Sequence, residues 1–158
     1  MLPSAPTAKP ARASAPAWLV VAICTLLNAI DGYDVLAMAF TAAPVSAEFG
    51  LSDTELGWLL SSGLIGMAVG GVSFGPLADR IGRRPVIIGG LVLNIAGMLL
   101  AATAPGMGML LVWRILTGLG VGAILATGAV LVSETVSARR RGLALSVYTA
   151  GYSLGATI

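Results

Sequence analysis

The feature that most constrains this chain is a series of apolar runs, each as long as a hydrocarbon core, parted by short polar stretches. Four of them cover about 18–43, 56–78, 86–104 and 109–132, and a fifth begins at 143. A bilayer core of ~30 Å takes ~20 predominantly apolar residues as a helix. Inside it the backbone must satisfy its own polar groups, so runs of this kind fold as helices. The sequence therefore predicts an all-α, polytopic membrane protein. The fifth run stops at Ile158 after about 16 residues, short of the ~17–25 that a span needs. The expectation is an N-terminal transmembrane half at 17–158, cut within its fifth helix. The C-terminal half of the same protein would then be its missing partner.

Charge is sorted in the same rhythm. The chain is 57% hydrophobic and 10% charged, against ~25% charged in soluble domains. Lys9 and Arg12 lie in a Pro-rich stretch, 1–16, that reads as a flexible tail. Arg80, Arg83 and Arg84 lie between the second and third runs, and Arg139, Arg140 and Arg141 between the fourth and fifth. The intervening loops have no basic residue. The positive-inside rule puts the tail and both basic loops in the cytoplasm, with the lipid bilayer of the cell inner (plasma) membrane as surroundings. A buried bundle in a large soluble protein would also show long apolar runs, but not this alternation. A signal peptide would use Lys9 and Arg12 as its basic region and 18–30 as its apolar core. That run continues past Asp31 and Asp34, and three more long runs follow. A nucleic-acid binder would spread its basic residues along one solvated face, so no nucleic acid is expected as a partner.

Several chemistries are excluded by residue type. The chain has one cysteine, Cys24, and no histidine. No disulfide framework, thiolate metal site, imidazole zinc site or histidine triad can be built from it. No metal, no cofactor and no enzymatic activity is expected. Gly118, Gly120 and Gly122 form G-x-G-x-G inside an apolar run, whereas a dinucleotide loop follows a strand and opens a helix. Arg114, Gly118, Gly122 and Ala126 recur every four residues, which makes a close-packing stripe with a charge at one end. In the second run Gly66 with Gly70, and Gly71 with Gly75, give two more G-x-x-x-G pairs.

Local signals set the boundaries. Pro44 is expected to end the first helix, and 45–55 to form a polar loop. Ser52 and Glu55 fit a capping box for the second helix. Residues 79–84 read as a tight basic turn, with Pro85 opening the third helix. Pro105, Gly106 and Gly108 supply the next turn.

Three ionisable residues lie where lipid would reject them. Asp31 and Asp34 are near the middle of the first run and three apart, so they share one side of a helix, and Asn28 widens that polar arc. Gly32 between them allows close packing or bending. One reading is a buried network that only fixes packing. The preferred one is a proton or substrate site, because ionisable residues in spans line pathways. Arg114 is the basic residue inside a span. At ~1.5 Å per residue it lies ~8 Å below the outer end of its helix, and Asp34 ~14 Å below that of its own. Arg114 is a candidate to pair with Asp34, to hold an anionic substrate, or to snorkel to the headgroups. Glu134, close in sequence to Arg139–Arg141, reads as one partner of a surface salt bridge.

Several of these segments together resemble the major facilitator superfamily of secondary transporters. GPLADRIGRR at 75–84 is similar to that superfamily's loop signature, with Gly75, Asp79, Arg80, Gly82, Arg83 and Arg84 at its fixed positions. Arg114 with Gly118 resembles the helix 4 signature, and Glu134 with Arg139 and Gly142 the pattern that ends helix 4. The resemblance implies twelve helices in two halves of six that alternate access to a central site, with 75–84 as a gating element on the cytoplasmic side. Asp31-Gly32-Tyr33-Asp34 resembles the D-G-x-D of aromatic acid:proton symporters, carriers of 4-hydroxybenzoate, benzoate or protocatechuate. That likeness implies that Asp31 and Asp34 are needed for transport; they are read as the proton-coupling acids, with Arg114 balancing charge on the acids or on a small organic acid and Tyr33 and Asn28 as further substrate-side candidates. The fifth run, AGYSLGAT, lacks the glycine-proline motif of drug:proton antiporters, which favours symport. The alternatives are a carrier of another organic acid or a sugar, and a membrane scaffold without transport. The fragment alone is not expected to transport.

Overall fold

A computed structural model describes residues 17–157. The tail bearing Lys9 and Arg12 lies outside them. The described residues are helical throughout: α1 (Ala17–Phe49), α2 (Asp53–Ile81), α3 (Arg83–Ala101), α4 (Met107–Thr135), a 3-10 turn (Ala138–Arg140) and α5 (Arg141–Gly155). The first four are long and apolar enough to cross a membrane. Phe40, Val72, Ile88 and Val92 stand largely exposed on the outer faces, as helices solvated by lipid require.

The most buried of the four is α4, which packs extensively against α2 and α3. Small residues permit it. Gly118 and Gly122 of α4 lie against the Gly63 and Met67 carbonyls of α2, and Gly120 against Gly90 of α3. A Cβ at any of the three would overlap the facing backbone. Helices associate this way in lipid because close packing, not water exclusion, drives them together. Gly66 and Gly70 take part in the same seam, against Ile115 and Leu119. Of the second G-x-x-x-G pair only Gly71 joins the seam, its N–H facing Gly122, while Gly75 has nothing within 4 Å. The α2, α3 and α4 helices thus make one closely packed group. A second group is α1 with α5, where Gly32, Gly151 and Gly155 bring the two backbones together. The two groups meet more sparsely along α4.

Boundaries differ from the local signals in several places, and Gly108, expected in a turn, lies inside α4. Pro44 does not end α1 but lies inside it. A proline within a helix costs about 3 kcal/mol, and packing offsets it: Val45, Phe49 and Leu51 close over Met38, Leu59 and Leu110. The loop expected at 45–55 shrinks to 50–52. Pro85 is the third residue of α3, not its first. It is tolerated there because the first-turn N–H groups have no intrahelical partner. Only Gly82 separates α2 from α3, at φ +98°, a conformation that glycine adopts without the Cβ penalty. The α3 helix stops at Ala101, before the expected 104. The capping box forms as expected: Ser52 N donates to Glu55 Oε2 at 2.9 Å and Glu55 N to Ser52 Oγ at 3.4 Å.

Candidate functional site

The polar arc of α1 turns inward. Asp31 is 2% exposed and Asp34 8%, with Asn28 buried beside them. A buried charge needs a partner, and the two acids have different ones. Arg114 of α4 donates from Nη1 to Asp34 Oδ2 at 3.4 Å. Its other terminal nitrogen lies against the Met38 sulfur. Asn94 of α3 donates from Nδ2 to Asp31 Oδ1 at 3.1 Å. Asn28 donates from Nδ2 to the Tyr148 carbonyl of α5 at 2.7 Å. One acid therefore faces a cation and the other a neutral amide, one turn apart on the same helix. Several polar atoms in the interior have no partner among the described residues: Asn28 Oδ1, Asp31 Oδ2, Asn94 Oδ1, Arg114 Nε and Thr127 Oγ1. Leaving a buried polar atom without any partner costs about 1–3 kcal/mol, so Asp31, Asn94 and Arg114 each have an atom open to a further hydrogen bond.

Two cavities flank the Asp34–Arg114 pair. One, of about 200 Å³, lies between α1, α2 and α4 against Leu59, Met67 and Val121. The other, of about 260 Å³, lies between α1, α3 and α4 against Thr41, Met98 and Leu110. Both are lined largely by apolar side chains, with the ion pair as their shared wall. A dry apolar cavity of about 150 Å³ holds a benzene ring. Each is thus wide enough for a small aromatic body, with a cation and a carboxylate at one edge.

Tyr33 is not brought to this cluster. It is 54% exposed and lines a shallow groove with Ala29, Ile30 and Gly155. Two steps of a helix rotate a side chain by ~200°, which carries Tyr33 away from Asp31. Asn94 was not singled out in the sequence. Its signal is a lone amide in the middle of an otherwise apolar run.

At the arginine-rich end, the Arg83 guanidinium bridges two acids. Nη1 meets Asp79 Oδ1 at 2.5 Å and Nη2 meets Glu134 Oε1 at 3.1 Å. The ends of α2 and α4 are thereby tied to the start of α3. Glu134 does not pair with the run Arg139–Arg141 as expected from proximity in sequence. The one-residue turn at Gly82 sets Arg83 beside the last turn of α4, whereas the run leaves on the turn beyond it. Arg141 instead donates to the Ser133 carbonyl at 3.0 Å. Among the described residues, Arg80, Arg84 and Arg139 make no ion pair. Gly75 and Gly142 have no close neighbour that would meet a Cβ.

Residues 19–158 match the family model described as Major Facilitator Superfamily. The 4-hydroxybenzoate transporter PcaK of Pseudomonas putida is 40% identical over 138 residues, which are 87% of this chain and 31% of that protein. The gallate transporter of Pseudomonas putida is 33% identical over 142 residues, 87% of this chain and 31% of that one. The 3-(3-hydroxy-phenyl)propionate transporter of Escherichia coli K12 is 33% identical over 152 residues, 96% of this chain and 38% of that one. The chain thus spans about a third of the length of these relatives. With the family match running over almost all of its residues, this multi-pass membrane chain belongs to the major facilitator superfamily, a family of transporters and not of enzymes.

Proposed function

We propose that the full-length protein carries an aromatic carboxylate of the 4-hydroxybenzoate kind across the inner membrane together with protons, with the N-terminus and the arginine-rich loops on the cytoplasmic side. The observation that carries this reading is the Asp34–Arg114 pair set between two apolar cavities wide enough for a benzene ring. The relatives described as transporters of hydroxylated aromatic acids support the substrate class. The ring of the substrate would enter an apolar cavity, and its carboxylate would compete with Asp34 for Arg114. An ionised Asp34 without its cation is an uncompensated buried charge, which costs about 3–5 kcal/mol. Asp34 escapes that cost by taking a proton. Substrate and proton therefore load together, and both leave when Arg114 returns to Asp34. Asp31 serves as a second proton site one turn away. The Arg83 bridge to Asp79 and Glu134 holds the cytoplasmic ends of α2, α3 and α4 together while the halves alternate.

Uptake of labelled 4-hydroxybenzoate by the full-length protein in vesicles, with and without an inward proton gradient, tests the reading. Uptake should follow the gradient and fall to background in D34N. If D31N and D34N both keep uptake and its pH dependence, proton coupling through these acids is wrong and a scaffold role gains ground. Competition by unlabelled sugars or aliphatic acids, but not by benzoates, would move the substrate to another class.

A further inference from the structure

The amide facing Asp31 has a consequence for how α1 and α3 are joined. Their backbones nowhere approach closely. Among the described residues, the side-chain hydrogen bond between them is the one from Asn94 Nδ2 to Asp31 Oδ1. The other two atoms of these groups, Asp31 Oδ2 and Asn94 Oδ1, are both buried and both without a partner among the described residues. Asp31 is 2% and Asn94 6% exposed, so bulk water does not reach them. In an ionised carboxylate both oxygens are acceptors only, as is an amide oxygen. Two acceptors cannot bond one another. A protonated carboxyl has one O–H donor, and the same two atoms then become complementary. A carboxylic acid and a primary amide each carry one donor and one acceptor on a single carbon, in opposite order.

We propose that Asn94 is a positioning residue that reads the protonation state of Asp31. A proton on Asp31 Oδ2 is donated in a hydrogen bond to Asn94 Oδ1, and with the existing bond this closes an acid–amide ring between α1 and α3. When the proton leaves Oδ2 for water, the carboxylate keeps only the bond from Nδ2. Asn94 Oδ1 then has no donor from the carboxyl. Loading a proton ties α1 to α3 by two bonds, and unloading leaves one. This rests on the proton-coupled reading above and adds to it how the protonation of one acid becomes a change in helix contact.

The surroundings leave Oδ2 to this role. The other ionisable groups near Asp31 are Asp34, one turn along α1 and paired with Arg114 of α4, and Tyr148 and Tyr152 on α5. Cys24 lies two turns back on α1. The ionisable residues of α2 and α3 all lie at the helix ends.

Infrared spectroscopy of the full-length protein in lipid, titrated with pH, tests this without any substrate. The protonated-carboxyl C=O band that vanishes in D31N belongs to Asp31. In N94L that band should shift to higher frequency, because the carboxyl loses its partners, and the pH at which it appears should change. N94Q keeps the amide and should return the band toward its wild-type position. A band unmoved in N94L, or no Asp31 band at any pH, overturns the proposal. If N94L is not recovered folded, N94A takes its place under the same criterion. Uptake measured in D31N separates the two claims. Unchanged, pH-dependent uptake there refutes coupling through Asp31, while the band shift still decides whether Asn94 reads the proton.

Discussion

Replacing Arg114 by methionine removes the cation from Asp34 while keeping an apolar stem of similar reach. The pair is 3.4 Å apart, with side chains 17% and 11% exposed. Breaking a buried pair by removing one partner costs about 3–5 kcal/mol. The long separation and the flanking cavities put this site at the low end, about 3 kcal/mol. D34N strands the Arg114 guanidinium instead, and it should cost less because the long, flexible Arg side chain can turn its charge toward water. The double variant D34N/R114M then removes the stranded charge, and its loss should fall short of the sum of the single losses by about 1–3 kcal/mol. Equilibrium unfolding in mixed micelles reads all four forms. Additivity within about 0.5 kcal/mol would show that the two side chains do not act as a pair, and the exchange of Arg114 between Asp34 and a substrate carboxylate would lose its basis.

Three further outcomes follow from the packing and the termini. Gly122→Ala drives a Cβ into the Met67 carbonyl and the Gly71 N–H and should destabilise by about 1–3 kcal/mol in the same assay; Gly89→Ala, with nothing within 4 Å, should change it by under about 0.5 kcal/mol. Arg83→Gln loses ion pairs to acids whose side chains are 65% and 53% exposed, so stability should move by under about 1 kcal/mol while the initial rate of uptake falls. Ser52→Ala removes the cap of α2 and should cost about 1 kcal/mol, measurable as a lower unfolding midpoint with unchanged uptake per folded molecule.

The helices were legible because hydrocarbon leaves the backbone one solution, and a run such as 109–132 has no other reading. The capping box at Ser52 was legible because both of its partners lie within one turn. Pro44 misled for the opposite reason: it is a local signal, and the packing of Val45 and Phe49 that overrules it depends on Leu59 and Leu110, which lie on other helices. Depth along the membrane normal could be counted, so Asp34 and Arg114 came within reach of each other on paper. Lateral adjacency could not be counted, and their contact emerged only with the placement of α1 beside α4. The same gap hid the pairing of Arg83 with Glu134 and of Asp31 with Asn94. Their sequence separations are 51 and 63, and nothing local selects one distant partner over another.

The division of the helices into two groups has a mechanical consequence. Within each group glycines bring backbone against backbone, so closely that an added Cβ would overlap the facing helix. Between the groups the joint is thin, and it is bridged by Asp31 to Asn94 and Asp34 to Arg114. Such a joint behaves as a latch on a door whose panels are stiff. Moving α1 and α5 as a unit against the other three would have to break those two links, the apolar contacts of Val21 and Cys24 with Val132 and of Met38 with Leu59 and Leu110, and the bonds from α5 to the Ser133 and Leu125 carbonyls.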